Sequence, residues 1–110
     1  MASDLNIAQF IAGQMSGAGE ITYKRMFGEF GLYCDGKIIG SVSDNRLFVK
    51  QTEAGRAFIG DLKEAPPYPG AKPQLLIEDK IEDGPWLSQL IRLTVDDLPE
   101  PKPKRKPKSQ

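Results

Sequence analysis

Residues 21–50 dictate the fold class of this 110-residue chain. Short runs rich in aromatic and branched side chains alternate there with glycines and with two turn dipeptides, Asp35-Gly36 and Asp44-Asn45. Both dipeptides favour positive φ, which suits two-residue turns whose twist matches the strands that they join. The segment therefore predicts a β-meander of four antiparallel strands.

The two turns also predict which residues share a face of the sheet, because a two-residue loop sets the register by counting. Leu32 then faces Ile39, and Gly40 faces Val49. One face collects a clean apolar set with Gly31 and Gly40 side by side, and we expect helices to cover it. That set is Tyr33, Ile38, Val42, Leu47 and Val49. The opposite face holds Phe30, Leu32, Cys34, Ile39 and Phe48, mixed with Lys37, Ser41, Arg46 and Lys50.

The length and the composition place the chain among ordinary globular proteins of one domain. No apolar run approaches the roughly 18 residues needed to span a bilayer, so no membrane association is expected. The N-terminus lacks the basic and then apolar pattern of a signal peptide. We therefore expect a cytoplasmic protein.

Residues that carry common enzyme chemistry are scarce. Histidine is absent, which removes the usual general base near neutral pH and the usual metal ligand. Cys34 is the only cysteine and lies in a predicted strand, where a small buried hydrophobe is the better interpretation than a nucleophile. The carboxylates near residue 80 do not follow a calcium-loop pattern and are best interpreted as a solvated turn. We predict no catalysis, no metal and no cofactor.

Helical periodicity and capping residues predict three helices around the meander. The first begins at Ser3 or Asp4, the second covers about residues 52–62, and the third begins at Asp83 with Pro85 in its first turn. Four prolines predict a loop over residues 64–73, before a fifth strand at residues 74–77. The predicted fold class is α+β, a two-layer domain with an antiparallel meander sheet and helices on one face, in the order α-β4-α-β-α.

The charge of the chain is segregated although the net charge is zero. Residues 1–99 carry 10 Lys and Arg against 14 Asp and Glu, and form the predicted domain. Residues 100–110 contain no apolar side chain and are predicted to be a disordered basic tail. Flexible cations attract phosphate backbones, so the tail predicts weak, nonspecific nucleic-acid binding. Its cations are Lys102, Lys104, Arg105, Lys106 and Lys108.

Three groups of residues resemble the signature of the TfoX (Sxy) N-terminal domain family. They are Arg25-Met26-Phe27-Gly28, then Gly31-Leu32-Tyr33 with Asp35-Gly36-Lys37, and then Arg46-Leu47-Phe48-Val49-Lys50. The flanking helices, the loop containing Pro67-Tyr68 and the closing helix around Trp86 follow in the family's order. The resemblance covers most of residues 5–99.

The resemblance implies a secretion-chaperone-like architecture and a role in regulating natural competence and transcription. The family's named members are thought to act with the cyclic-AMP receptor protein, so a protein partner associated with transcription is implied here. The family's competence regulators carry a second helical domain, whereas this sequence ends in the basic tail. The family defines no catalytic residues.

The face opposite the helices supplies the predicted partner-binding residues, because four large apolar groups there exceed scattered surface hydrophobes. These residues are Phe30, Leu32, Ile39 and Phe48. Self-association as a homodimer and capture of a partner segment both fit such a face. Four interpretations stay open: a TfoX-type regulatory module that acts through a protein partner, a nucleic-acid-binding protein that uses the tail, a chaperone-like peptide-binding domain, and an enzyme.

Overall fold

A computed structural model describes residues 4–26, 28–61 and 63–98. Predictions about Ser3, Phe27, Leu62 and the tail lie outside these residues. The helices are α1 (Leu5–Gln14), α2 (Glu53–Ile59) and α3 (Gly84–Asp97), with short 3₁₀ turns at Ser16–Ala18 and Asp79–Glu82. The strands are β1 (Ile21–Met26), β2 (Glu29–Cys34), β3 (Lys37–Ser43), β4 (Arg46–Val49), β5 (Glu64–Ala65) and β6 (Gln74–Ile77). The predicted α+β class is confirmed.

The six strands form one antiparallel sheet in the order β1-β2-β3-β4-β6-β5. The prediction of a loop from residue 64 was wrong for its first two residues, since Glu64 pairs with Leu75 and Ala65 pairs with Gln74. The prolines begin only at Pro66, so the two preceding residues keep the N–H groups that a strand needs. β5 lies at one edge of the sheet and β1 at the other.

Both predicted turns are present. Asp35 and Gly36 have φ of 52° and 86°, and Asp44 and Asn45 have φ of 53° and 60°. Two consecutive positive φ values are the mark of a type I′ turn. The register next to the turns is also as predicted, because Cys34 pairs with Lys37 and Val42 pairs with Leu47.

The predicted register between β2 and β3 fails in the middle of the pair. Leu32 faces Gly40 rather than Ile39, and the register shifts between Leu32 and Tyr33. Ile39 is therefore an extra residue in β3, a β-bulge that moves β2 by one position relative to β4. A shift of one residue exchanges the faces of a strand, so our assignment of the β2 side chains to the two faces was wrong.

The bulge brings two apolar sets to the same side of the sheet. Phe30, Leu32 and Cys34 of β2 join Val42, Leu47 and Val49 in one buried cluster, which an unbulged pair would have split between two faces. Burying one large apolar side chain stabilises a fold by about 1.5–3 kcal/mol, which outweighs the disturbed pairing at one residue. Ile39 is itself part of this cluster.

The helices cover the same side. Ala8 and Ile11 of α1, with Met15 directly after it, recur at helical spacing and enter the cluster. Leu87, Leu90, Ile91 and Val95 of α3 enter it too. α2 packs beside α3. Thr52 is the N-cap of α2, and its Oγ1 accepts a hydrogen bond from the Gly55 N–H at 3.0 Å. Asp83 Oδ1 caps α3 in the same way through the Trp86 N–H at 3.2 Å. We call this the helix side, and the opposite surface of the sheet the outer face.

Two cations join α3 to the sheet. Lys37 Nζ donates to the carbonyls of Val95 and Leu98, each at 3.1 Å, at the negative end of the helix dipole. Lys37 is therefore on the helix side, and its predicted place beside the interface was wrong. Arg92 donates to the Ala18 carbonyl at 2.8 Å and contacts Asp35 at 3.3 Å, beside the β2–β3 turn.

Candidate functional site

The predicted patch of four exposed apolar side chains does not form. Phe30, Leu32 and Ile39 are between 0% and 2% exposed and lie in the core on the helix side. Phe48 does point to the outer face, between its cross-strand neighbours Ser41 and Leu76, but it is only 1% exposed. The Arg46 guanidinium lies 5.6 Å from the centre of the Phe48 ring. Phe30 and Leu32 were assigned to the wrong face because of the bulge. Phe48 was assigned to the correct face, but it is buried there.

The outer face instead has a groove whose first wall is Met26. Gly31 has no side chain, and a Cβ placed there would lie 2.4 Å from the Met26 methyl carbon. Met26 therefore lies across Gly31, one strand in from the edge of the sheet. Its side chain is 38% exposed, which is high for a large apolar group.

The second wall is residues 66–73, which we call the covering loop. Its prolines exclude regular structure, and its conformation is held by hydrogen bonds from the Ala71 N–H to the Tyr68 carbonyl at 3.1 Å and from Gln51 Nε2 to the Pro73 carbonyl at 3.0 Å. Tyr68 is 64% exposed and lines the groove opposite Met26. The loop that separates β5 from β6 thus reaches back over the outer face.

The groove consists of two adjoining cavities that share Met26, Ser41 and Tyr68. The larger has a volume of about 530 Å³ and extends towards Ser43. The smaller, of about 270 Å³, extends towards Ile38, and Lys50 and Lys72 lie at its rim. The floor is the outer row of β3, where the hydroxyls of Ser41 and Ser43 are 3.4 Å apart. We call the whole depression the outer groove.

Cations dominate the charge around the outer groove. Lys50 and Lys72 line one end, and Lys24 lies beyond Tyr33 in a neighbouring depression. None of the three forms a salt bridge with any residue that the structure describes. Among the described residues, Glu29 supplies the one carboxylate of the lining, and its Oε1 accepts the Asp44 N–H at 3.2 Å. The end of the groove towards Ile38 therefore presents positive charge to a docking group.

Comparison with known proteins identifies the family. The family model of the TfoX N-terminal domain matches residues 13–98. The chain belongs to the TfoX N-terminal domain family. It is also 40% identical over 105 residues to a protein of Spirochaeta aurantia described as an uncharacterized 12.7 kDa protein in the trpE 5′ region, covering 96% of this chain and 91% of that protein. The TfoX N-terminal domain family is a non-enzymatic regulatory family, so regulation is the coarse function that the match supports.

A second cavity of this TfoX domain, of about 570 Å³, lies beside Trp86 at the end of β6. Both of its lysines already have partners, since Lys63 pairs with Glu78 and Lys80 lies 4.0 Å from the carboxylate of Asp83. Lys63 contacts Glu78 at 3.0 Å, and Lys80 lies 5.7 Å from the centre of the Trp86 ring. Because these partners would have to separate to receive a ligand, the outer groove is the better candidate site.

The exposed apolar residues of α1 do not make a third site. Leu5 is 42% exposed and Phe10 is 47% exposed. Five residues along a helix correspond to a rotation of about 140° once whole turns are removed, so the two side chains point in different directions. Single exposed apolar groups of this kind are normal on protein surfaces.

The residues that the sequence analysis considered for catalysis or metal binding do not form a reactive site in the described part of the TfoX domain. Cys34 is fully buried, and burial together with the charge of Asp35 raises the pKa of its thiol. Within residues 4–26, 28–61 and 63–98, no three potential ligands cluster as a metal site would require. No helix in the same residues has the length and apolarity to cross a membrane. The predicted nucleic-acid-binding cations of the tail lie outside the described part of the chain.

Sequence reasoning missed most residues of the outer groove. Met26, Ile38, Tyr68 and Lys72 were not predicted as binding residues, and Lys50 was named only among the polar residues of the face opposite the helices. A usable signal was the tyrosine within the proline-rich loop, since prolines hold a loop in place and an aromatic residue in such a loop has a defined position. No local signal marked the bulge.

Proposed function

We propose that this TfoX domain is a regulatory module that acts through a protein partner bound in the outer groove. The single observation that supports this proposal most is the pair of exposed apolar walls, Met26 and Tyr68, across a cavity of about 530 Å³. Soluble domains rarely leave such groups exposed together unless something contacts them. By family resemblance, the partner belongs to the machinery that controls competence genes or transcription.

The test uses a photo-crosslinking amino acid introduced at Tyr68 in the intact chain, expressed in cells. The matched control carries the same amino acid at Phe10, which is similarly exposed but lies on α1. We expect a specific crosslinked protein from the Tyr68 position alone, identified by mass spectrometry, and the loss of that crosslink when Met26→Glu is added. Identical crosslinks from both positions, or none from Tyr68, would refute the assignment.

A crosslinked species of twice the chain mass would have a different meaning. It would favour the homodimer interpretation, and the measured mass in solution at rising concentration would then decide it. Because the variant Met26→Glu changes a side chain that is already partly exposed, its folding is expected to match that of the wild type. Circular dichroism checks this before any binding result is interpreted.

The basic tail supports a second proposal, since residues 100–110 carry five cations and one carboxylate. Lysine and arginine side chains release counterions when they contact phosphates, so DNA affinity should fall steeply with salt and vary little with sequence. Removal of residues 100–110 should abolish DNA binding at low salt. Unchanged binding after the removal, or no binding by the intact chain, would leave the tail with a solubilising role only.

A further inference from the structure

The two ends of the outer groove differ in chemistry. The end towards Ser43 is lined mainly by apolar groups, including the Met26 side chain and the Tyr68 ring. The end towards Ile38 carries Lys50 and Lys72 at its rim, and no described residue adds a carboxylate to its lining. A group that fills the whole groove must therefore be apolar at one end and negative at the other.

The two lysines of this groove differ from Arg56, Lys63 and Arg92 in forming no salt bridge with a residue that the structure describes. Arg56 contacts Glu64 at 2.8 Å, Lys63 contacts Glu78 at 3.0 Å, and Arg92 contacts Asp96 at 2.7 Å. Lys50 and Lys72 have no such contact with the described residues. An external carboxylate can pair with them without breaking an existing interaction.

The shape of the floor fits an extended chain. The floor follows the outer row of β3 from Ile38 to Ser43, which spans about 16 Å at the rise of a β-strand. A segment of about six residues in extended conformation covers that distance. A helix is much wider, about 10–12 Å with its side chains, and the covering loop would have to move to admit it.

We propose that the partner docks an extended acidic segment in the outer groove, with carboxylates at Lys50 and Lys72 and one large apolar side chain between Met26 and Tyr68. This inference rests on the proposed function, because it names the chemistry of the partner at that same site. The apolar side chain supplies the buried anchor, and the carboxylates supply orientation and selectivity.

Segments of this chain fit the groove poorly. Residues 99–110 carry five cations, which the groove lysines repel. The acidic segment Asp79–Glu82 of a second copy forms a 3₁₀ turn in which Ile81 packs against the core, and the Ile81 carbonyl accepts a hydrogen bond from Gln14 at 3.0 Å. It can offer neither an extended chain nor a free apolar anchor.

Nucleic acid also fits less well than an acidic peptide. The larger cavity is mostly apolar, and the Glu29 carboxylate in its lining would repel phosphates. In the part of the chain that the structure describes, no arginine lines the groove, and arginine is the side chain suited to two-pronged contacts with phosphate. The field of the lysines therefore favours carboxylates beside an apolar side chain over a phosphate backbone.

The test measures binding of labelled peptides to the full chain by fluorescence anisotropy. The probe is an extended peptide of about six residues, the length that spans the floor, in which glutamates occupy one half and a leucine the other. Comparison probes replace the leucine by serine, replace the glutamates by lysines, or substitute a single-stranded oligonucleotide of similar length. We expect the glutamate–leucine peptide to bind most tightly and to lose affinity as salt rises.

Charge reversal provides the decisive variant. Lys50→Glu with Lys72→Glu should weaken binding of the glutamate–leucine peptide by about tenfold or more, a change of one decade in Kd. The same double variant should gain binding of the lysine–leucine peptide. The matched control is Lys63→Glu with Lys80→Glu, which reverses two cations beside Trp86 and should leave both affinities unchanged. Thermal unfolding of each variant shows whether it is folded.

Three results would overturn the inference. In the first, the acidic peptide binds equally to the wild type and to the double variant Lys50→Glu with Lys72→Glu. In the second, the acidic and basic peptides bind equally to the wild type. In the third, the oligonucleotide binds the wild type more tightly than the acidic peptide does, and the double variant abolishes that binding. If the Tyr68 crosslink to a protein persists in any of these cases, the proposed function stands and only the acidic segment is refuted. If the crosslink is also absent, the proposed function fails as well.

Discussion

Gly40 is the position at which a single added methyl group should disturb this domain most. A Cβ built on Gly40 would lie 2.0 Å from the Phe48 carbonyl oxygen and 3.0 Å from the Val49 Cα. Both neighbours are backbone atoms of β4, so neither can turn aside as the end of a side chain could. In Gly40→Ala, β3 and β4 must therefore separate by about 1 Å or more, since carbon and oxygen contacts in sheets lie near 3.3–3.6 Å.

The cost of this separation has two parts. Forcing extra volume into a packed region costs about 1–3 kcal/mol. Weakening one or two hydrogen bonds of the β3–β4 ladder adds about 1 kcal/mol for each. A total of roughly 3 kcal/mol is a large fraction of the 5–15 kcal/mol that stabilises a typical domain. It corresponds to a fall of about 12–24 °C in Tm for a domain of this size.

Urea denaturation followed by circular dichroism measures the effect, with Gly13→Ala as the matched control. Gly13 lies in α1 with nothing within 4 Å of its added Cβ, so the same substitution should stabilise the domain by about 0.5–1 kcal/mol. An ordinary surface substitution changes the free energy of unfolding by up to about 0.5 kcal/mol. If the free energy of unfolding of Gly40→Ala lies within that range of the wild-type value, the close approach and the bulged register are both incorrect.

Three further predictions concern other contacts. Phe48→Glu should destabilise the domain by about 3 kcal/mol or more and unfold part of it, because the carboxylate would enter a site that is 1% exposed. A near-UV circular dichroism spectrum that shows a folded variant would contradict this. Lys37→Met should cost about 1–2 kcal/mol in urea denaturation, since it leaves the last carbonyls of α3 without their charged donor, and an unchanged midpoint would argue against that cap. The Glu20 N–H and then Arg92 lower the pKa of Asp35, so its carboxylate adds stability above its unfolded pKa of about 4, and that contribution is lost as the pH falls through the lower folded value. Asp35→Asn should therefore cost stability at pH 7 and little at pH 2, and a loss that is equal at both values would exclude the linkage.

Local signals located most secondary structure correctly. The turn dipeptides placed both hairpins, because Asp, Asn and Gly accept positive φ, and the observed φ values there are all positive. Asp83 and Pro85 placed the start of α3, where the Asp83 side chain caps the helix. Such features depend on a few neighbouring residues, so the sequence contains them in readable form.

The faces of the sheet could not be obtained in the same way. Counting from two correct turns placed Phe30 and Leu32 on the wrong face, because the count assumes that no residue is inserted between the turns. Whether Ile39 forms a bulge depends on which arrangement buries the apolar side chains of β2 and β4 together against α1 and α3. That comparison involves residues far apart in the chain, so it has no local signature.

The candidate site has the same mixed origin. By itself, the sequence determined the class of fold, the two hairpins, the family and the stiffness of a proline-rich loop containing Tyr68, since each of these depends on local chemistry or on a sequence signature. Only the tertiary structure decided that this loop lies over the outer face, that Met26 occupies the space above Gly31, and that Lys50 and Lys72 meet at one end of a groove. These positions follow from the packing of distant segments against one another, and packing is a property of the whole folded chain.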